Sequence, residues 1–178
     1  DRAEAGALWM VLLRSPHAHA RLASIDVSEA KAAASVVAVY TGADLVAEGV
    51  GALPAPPPLF KRPDGADMNV PPRRILAHET ARFVGEPIAA VIAETREAAY
   101  DAAELIAVDY GDLPSVTDVR EAAKPDAPQV WPPAPDNFVA AHAYGDKAAV
   151  DGIFASAAHV VSLEIMNQRL IPFALEPR

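Results

Sequence analysis

Apolar residues run unbroken through LWMVLL, residues 8–13, a length that suits a buried strand and is short for a helix. Beyond Pro16 the pattern turns to alternation. In HAHARLASIDV, residues 17–27, His17, His19 and Arg21 fall on one face of an extended chain, and Ala18, Ala20 and Leu22 on the other. That period predicts a half-buried strand. Ser28 stands where an N-cap belongs, before SEAKAAA, with Glu29 in the first turn where the helix dipole favours an anion. VVAVYT, 36–41, is strand-like by β-branching, and GADLVAEG, 42–49, has room for one or two helical turns.

The clearest pattern lies in residues 82–110. PIAAVIAE predicts a buried strand, with Pro87 at its start or on an edge. Thr95 is a natural N-cap, and Ala99, Ala102, Ala103 and Ile106 repeat at helical spacing as an apolar stripe. AVDY follows as another strand. Were the two strands parallel neighbours, the crossover between them should be right-handed. Later, FVAAHAYG predicts a strand. Asp146 caps a helix whose stripe is Val150, Ile153, Phe154 and Ala157, and HVVSLEIMNQRLIPF, 159–173, predicts a long strand. The sum is an α+β fold with a mixed sheet and about three helices, not a doubly wound nucleotide fold.

Two proline-rich stretches interrupt this pattern. Residues 53–72, LPAPPPLFKRPDGADMNVPP, cannot form a regular element, because proline removes donors and DG marks a turn. A loop this long suggests an ordered, partner-covered segment. KPDAPQVWPPAPDN, 124–137, reads as a linker between two halves.

Composition narrows the function classes. The chain has 178 residues, 52% hydrophobic and 22% charged, as a globular protein of one domain or two small ones would. It has no cysteine, which excludes disulfides, a thiolate nucleophile and an iron–sulfur cluster held by this chain, and suits the cytoplasm. A net charge of −9 argues against nucleic-acid binding. No apolar run reaches the length of a membrane span. The chain opens on Asp1 without a leader and stops at ALEPR, so both ends read as cuts within a longer polypeptide.

Candidate chemistry centres on RSPHAHAR, which gathers Arg14, His17, His19 and Arg21. Two imidazoles at i, i+2 could begin a metal site, but a third ligand is not evident and Arg21 would repel a cation. A structural or interface face is the expectation. His78, His142 and His159 are isolated. GVGALP, 49–54, lacks the third glycine and the following helix of a dinucleotide motif. Glu86, between Gly85 and Pro87, could act as a base if burial raised its pKa; the plainer expectation is that it accepts backbone N–H groups or pairs with an arginine across an interface. Gln168 and Arg169 in NQR, and Glu176 in EPR, cluster polar groups near the end of the chain. No catalytic, cofactor-binding or metal-ligating residue emerges.

Four segments in order resemble one family: RSPHAHARLASID (14–26), VVAVYTGADL (36–45), RFVGEPIAAVIAETREAAYDAAELIAVDYGDLPSVTD (82–118) and AAHVVSLEIMNQRLIPFALEPR (157–178). They are similar to the N-terminal part of the large subunit of molybdenum hydroxylases, the xanthine dehydrogenase, aldehyde oxidase and carbon monoxide dehydrogenase family. The resemblance implies an α/β hammerhead domain, packed against the molybdopterin-binding domains of the same subunit and against the small iron–sulfur subunit. It implies a holoenzyme that hydroxylates carbon with water, or oxidises CO. That holoenzyme uses molybdopterin and [2Fe-2S] clusters, with electrons often leaving through an FAD subunit. The family's glycine-rich cofactor loop, its glutamine near the metal and its late catalytic glutamate have no counterpart here; they would follow Arg178. Glu176 matches the glutamate of the family's EPR at the domain junction, a structural role. The fragment would then be a non-catalytic scaffold. The alternatives are a stand-alone interaction or ligand-binding module of the same fold, or a hydrolase or isomerase built on Glu86 and a histidine.

Overall fold

The computed structural model describes residues 4–55, 57–132, 134 and 136–165. They fall into two compact units, one up to His142 and one from Ala143. In the first, strands β1 (Trp9–Arg14), β5 (Pro87–Ala93) and β3 (Val36–Thr41) form one sheet in the order β1-β5-β3. Strands β4 (Thr80–Ala81), β2 (Ala20–Asp26) and β6 (Ala107–Asp112) form the other, in the order β4-β2-β6. Every pairing between these strands is antiparallel.

The α+β class therefore holds, but the expected mixed sheet is replaced by two antiparallel ones. Strands β5 and β6, separated by helix α3 (Arg96–Glu104), do not pair; they lie in different sheets, so no parallel crossover exists between them. Periodicity reports which face of a strand is buried, not which strand lies beside it.

The core forms where small residues let α3 approach the first sheet. The predicted stripe of Ala99, Ala102, Ala103 and Ile106 is buried against Ala89, Val91, Ala93 and Val39. Ala30 of α1 (Ser28–Ala32) joins it. Ile25 and Val108 pack on the same cluster from the second sheet. A smaller cluster of Ala77, Ala81 and Ile88 shares Leu13 and Val108 with the first.

The helix caps are partly as predicted. Thr95 accepts the Ala98 N–H at 3.1 Å. At α1 Ser28 is the first helical residue and Val27 the N-cap, without a side-chain cap; the Asp26 carboxylate accepts the Ser28 N–H at 2.9 Å. Helix α2 (Gly42–Ala47) carries a reciprocal capping box between Thr41 and Asp44. A short α4 (Val119–Ala122) is capped by Asp118. With a helix over Lys147–Ser156 the described residues hold five helices, against about three expected.

The proline-rich segments are irregular, as predicted, but they are stitched to each other. The Arg62 guanidinium reaches Asp136 at 2.6 Å, the Ala141 N–H donates to Lys61 O at 2.9 Å, and the Asn69 N–H donates to Val139 O at 2.9 Å. Segment 124–137 therefore lies within the first unit and does not divide the chain; the boundary falls after His142. FVAAHAYG is not a strand; Ala141 makes an isolated bridge to Lys61.

The second unit contains α5 (Lys147–Ser156), capped as predicted by Asp146. Its apolar stripe of Val150, Ile153 and Phe154 is exposed. The predicted strand 159–173 has no regular structure over 159–165, and the remainder lies outside the described residues.

Candidate functional site

The strip 14–21 turns a corner between β1 and β2, and Ser15 makes the turn. It is 2% exposed. Its N–H donates to Glu86 O at 2.9 Å and its carbonyl accepts from the Gly85 N–H at 2.8 Å. Its hydroxyl accepts the His17 N–H and donates to His17 O, each at 3.1 Å. A side chain that bonds the backbone two residues on, followed by a proline without a donor, favours a bend over a continued strand. His17 and His19 therefore precede β2 and do not share a strand face with Arg21. The predicted alternation holds for Ala20, buried, Arg21, exposed, and Leu22, half-buried; an irregularity between Leu22 and Ser24 then shifts it, leaving Ser24 exposed and turning Ile25 to the core.

Each imidazole is held by its Nδ1. That of His17 lies 2.9 Å from Asp112 Oδ1, with the ring centroid 4.3 Å from that of Tyr110. That of His19 lies 2.7 Å from Pro114 O. A ring nitrogen facing a carbonyl oxygen must carry the hydrogen, so neutral His19 has its acceptor at Nε2. Arg14 Nη1 donates to Gly85 O at 2.8 Å. Gly85 has φ +89°, a left-handed geometry that glycine adopts freely. Arg21 stays exposed and runs beside Gly111.

Glu86 sits in the same corner. Its carboxylate accepts the Arg82 N–H. Burial pushes its pKa up, opposed by that hydrogen bond and by the Arg82 charge. Arg82 Nη1 donates to Thr80 O at 3.1 Å, and the guanidinium stacks 4.0 Å from the Trp131 ring centroid. Burial lowers the Arg82 pKa, against the charges of Glu86 and Glu79. Burial likewise raises that of Tyr110, opposed by a hydrogen bond with Ser15. These contacts turn the Glu86 carboxylate into its own turn, bonded to backbone.

The structure thus brings Arg14, His17, His19 and Glu86 to one corner, with Arg21 at its edge. Gln168, Arg169 and Glu176 lie outside the described residues. Sequence reasoning missed Ser15, Arg82, Tyr110, Asp112 and Trp131. The one local signal was Arg82 and Glu86 flanking Gly85. Among the described residues no group of three or more His, Cys, Asp or Glu side chains converges as a metal ion requires. None of their helices is long and apolar enough to cross a membrane.

Two three-stranded antiparallel sheets, with the small-residue helix α3 packed on the first and the proline-rich loops joined to each other, define an α/β hammerhead domain. The family model "Aldehyde oxidase and xanthine dehydrogenase, a/b hammerhead domain" matches residues 1–114, and the chain belongs to this family. It is 36% identical over 184 residues to the carbon monoxide dehydrogenase large chain of Afipia carboxidovorans, covering 96% of this chain and 21% of that one. It is 39% identical over 134 residues to the probable hypoxanthine oxidase XdhD of Escherichia coli (strain K12), covering 73% of this chain and 13% of that one. Among solved structures, the Cu,Mo-CO dehydrogenase in its carbon monoxide reduced state superposes with a TM-score of 0.69 at 34% identity, over 89% of this chain and 20% of that chain. The aldehyde oxidoreductase from Desulfovibrio gigas gives 0.64 at 28% identity, over 88% and 16%. The chain spans about a fifth of the carbon monoxide dehydrogenase large chain it matches.

Proposed function

We propose that this chain is a supporting block of a molybdenum hydroxylase large chain, contributing shape and contact surface while the redox chemistry takes place on other polypeptide. The observation that carries this reading is the near-complete alignment of the chain, 96%, to one fifth, 21%, of a carbon monoxide dehydrogenase large chain. The holoenzyme would use molybdopterin with molybdenum, [2Fe-2S] clusters and, in part of the family, FAD. None of these is assigned to residues of this chain. Its partners would be the molybdopterin-binding domains and the small iron–sulfur subunit, in the cytoplasm, where a cysteine-free chain needs no oxidising environment.

Within that role the 14–21 corner is the docking face. Arg14, His17 and His19 are oriented by this chain's own acceptors, so their remaining polar atoms meet a partner with little side-chain ordering left to do. In the full enzyme, His19→Ala combined with Arg21→Ala should weaken association of the subunits. Association constants equal to those of the unaltered enzyme would refute the docking role. Turnover of an aldehyde, a purine or CO by the purified 178-residue chain without molybdenum would refute the supporting role itself.

A further inference from the structure

A cavity of about 220 Å³ opens beside β2, lined by Leu22, Ile25, Thr41, Ala43, His78 and Glu79 among others. It is smaller than the usual range for a cofactor or drug-sized ligand, about 300–1,000 Å³, and of a size for one long side chain. Its wall is rigid. Gly42 approaches Ala77 so closely that a Cβ would meet Ala77 O at 2.0 Å.

Glu79, on the rim, has φ +64°. The Thr80 N–H donates across it to His78 O at 2.8 Å, and its own carbonyl accepts the Leu22 N–H at 2.8 Å. A glutamate in left-handed backbone is strained, where a glycine would be relaxed. Strain of this kind is kept where the side chain has a task. Yet the Glu79 side chain is 81% exposed and its Oε1 lies 3.7 Å from His78 Nε2, beyond hydrogen-bond range. Arg82 senses its charge, with no ion pair between them among the described residues. Glu79 thus lines a largely apolar cavity with its carboxylate exposed, and no hydrogen bond to that carboxylate forms among the described residues.

We propose that this cavity is a socket for one arginine side chain of a docking polypeptide. The alkyl stem lies against Leu22, Ile25 and Ala43, and the guanidinium meets the Glu79 carboxylate, whose planar fork suits bidentate pairing. Arginine fits better than an acid or an amide because the rim charge is negative and the chain as a whole carries −9, which steers a basic partner towards it. The socket is a separate contact from the 14–21 corner, and its test does not depend on the supporting role proposed above.

The test is a titration of the ¹⁵N-labelled full chain with a capped Gly-Arg-Gly peptide, and with the neutral Gly-citrulline-Gly, followed by backbone amide shifts. The arginine peptide should move amides of residues 22–25 and 77–80 and bind about threefold more tightly than the citrulline peptide, the margin of a solvent-screened ion pair. Glu79→Gln should lose that margin. Glu79→Gly relaxes the backbone, keeps the fold and should lose it too. Equal responses to the two peptides, shifts confined to another surface, or native-like binding by either variant would overturn the proposal.

Discussion

His17 and Asp112 meet at 2.9 Å, joining the bend after β1 to the last residue of β6. The Asp112 side chain is 84% exposed, so solvent screens the pair and its energetic value is small. Its value is orientation: the carboxylate holds the ring by Nδ1, stacked on Tyr110. Asp112→Ala should therefore cost less than about 1 kcal/mol in urea unfolding. The same change should alter the tautomer balance of His17, read from its imidazole ¹⁵N shifts. A loss of several kcal/mol, or an unmoved tautomer balance, would contradict this division.

Glu86 gives a pH dependence of definite sign. Burial raises its folded pKa above the ordinary 4.5, so the folded state holds this proton more tightly than the unfolded one. Its contribution to stability is fully present below 4.5 and is lost as the pH rises through the raised value. Relative to Glu86→Gln, the native chain should be most favoured in acid and lose ground towards neutrality. Urea midpoints of both proteins across that range check it. A constant difference, or one of opposite slope, would show that burial is not the dominant influence on this carboxyl.

The capping box at α2 works the other way. The Asp44 carboxylate accepts from the Thr41 hydroxyl and N–H, each at 2.7 Å, and those bonds lower its pKa from 3.8. Its stabilisation is present above 3.8 and lost as the pH falls below it. Thr41→Ala should cost about 1 kcal/mol near neutrality, the usual worth of a side-chain cap. The cost of Asp44→Asn should shrink as the acid limb is reached, in thermal melts recorded as a pH series.

Gly42→Ala tests the close approach of α2 to residue 77. The added Cβ would stand 2.0 Å from a backbone oxygen that no side-chain rotation can move. Overpacking of this kind costs about 1–3 kcal/mol or more. Gly51→Ala is the control, since a Cβ there meets nothing within 4 Å. Melting temperatures should fall sharply for the first and stay near native for the second.

Local pattern was enough for much of the fold. β1, β3, β5 and α3 lie where apolar runs, β-branching and the 99–106 stripe put them, because each signal is a property of one segment, but β1 is an edge strand with Trp9 and Met10 exposed and not the buried strand its apolar run suggests. The corner at residues 14–21 was legible as a concentration of polar groups but not as a geometry. Alternation alone extends the strand back to His17, whereas the Ser15 hydroxyl bonds the backbone and bends the chain instead. Ser28 fell inside α1 instead of before it, and the Asp26 carboxylate two residues earlier accepts its N–H.

The order of residues by itself determined the α+β class, the alanine-rich face of α3, the irregularity of the proline-rich segments and the family of the chain. Tertiary structure alone decided that β5 and β6 belong to different sheets, that Arg62 ties one proline-rich segment to the other, and that Arg82 stacks on Trp131. The reason is range. Helical and strand periods act within a few residues, while strand partners, arginine contacts and ring contacts are chosen among groups distant in sequence, by how the apolar faces pack together.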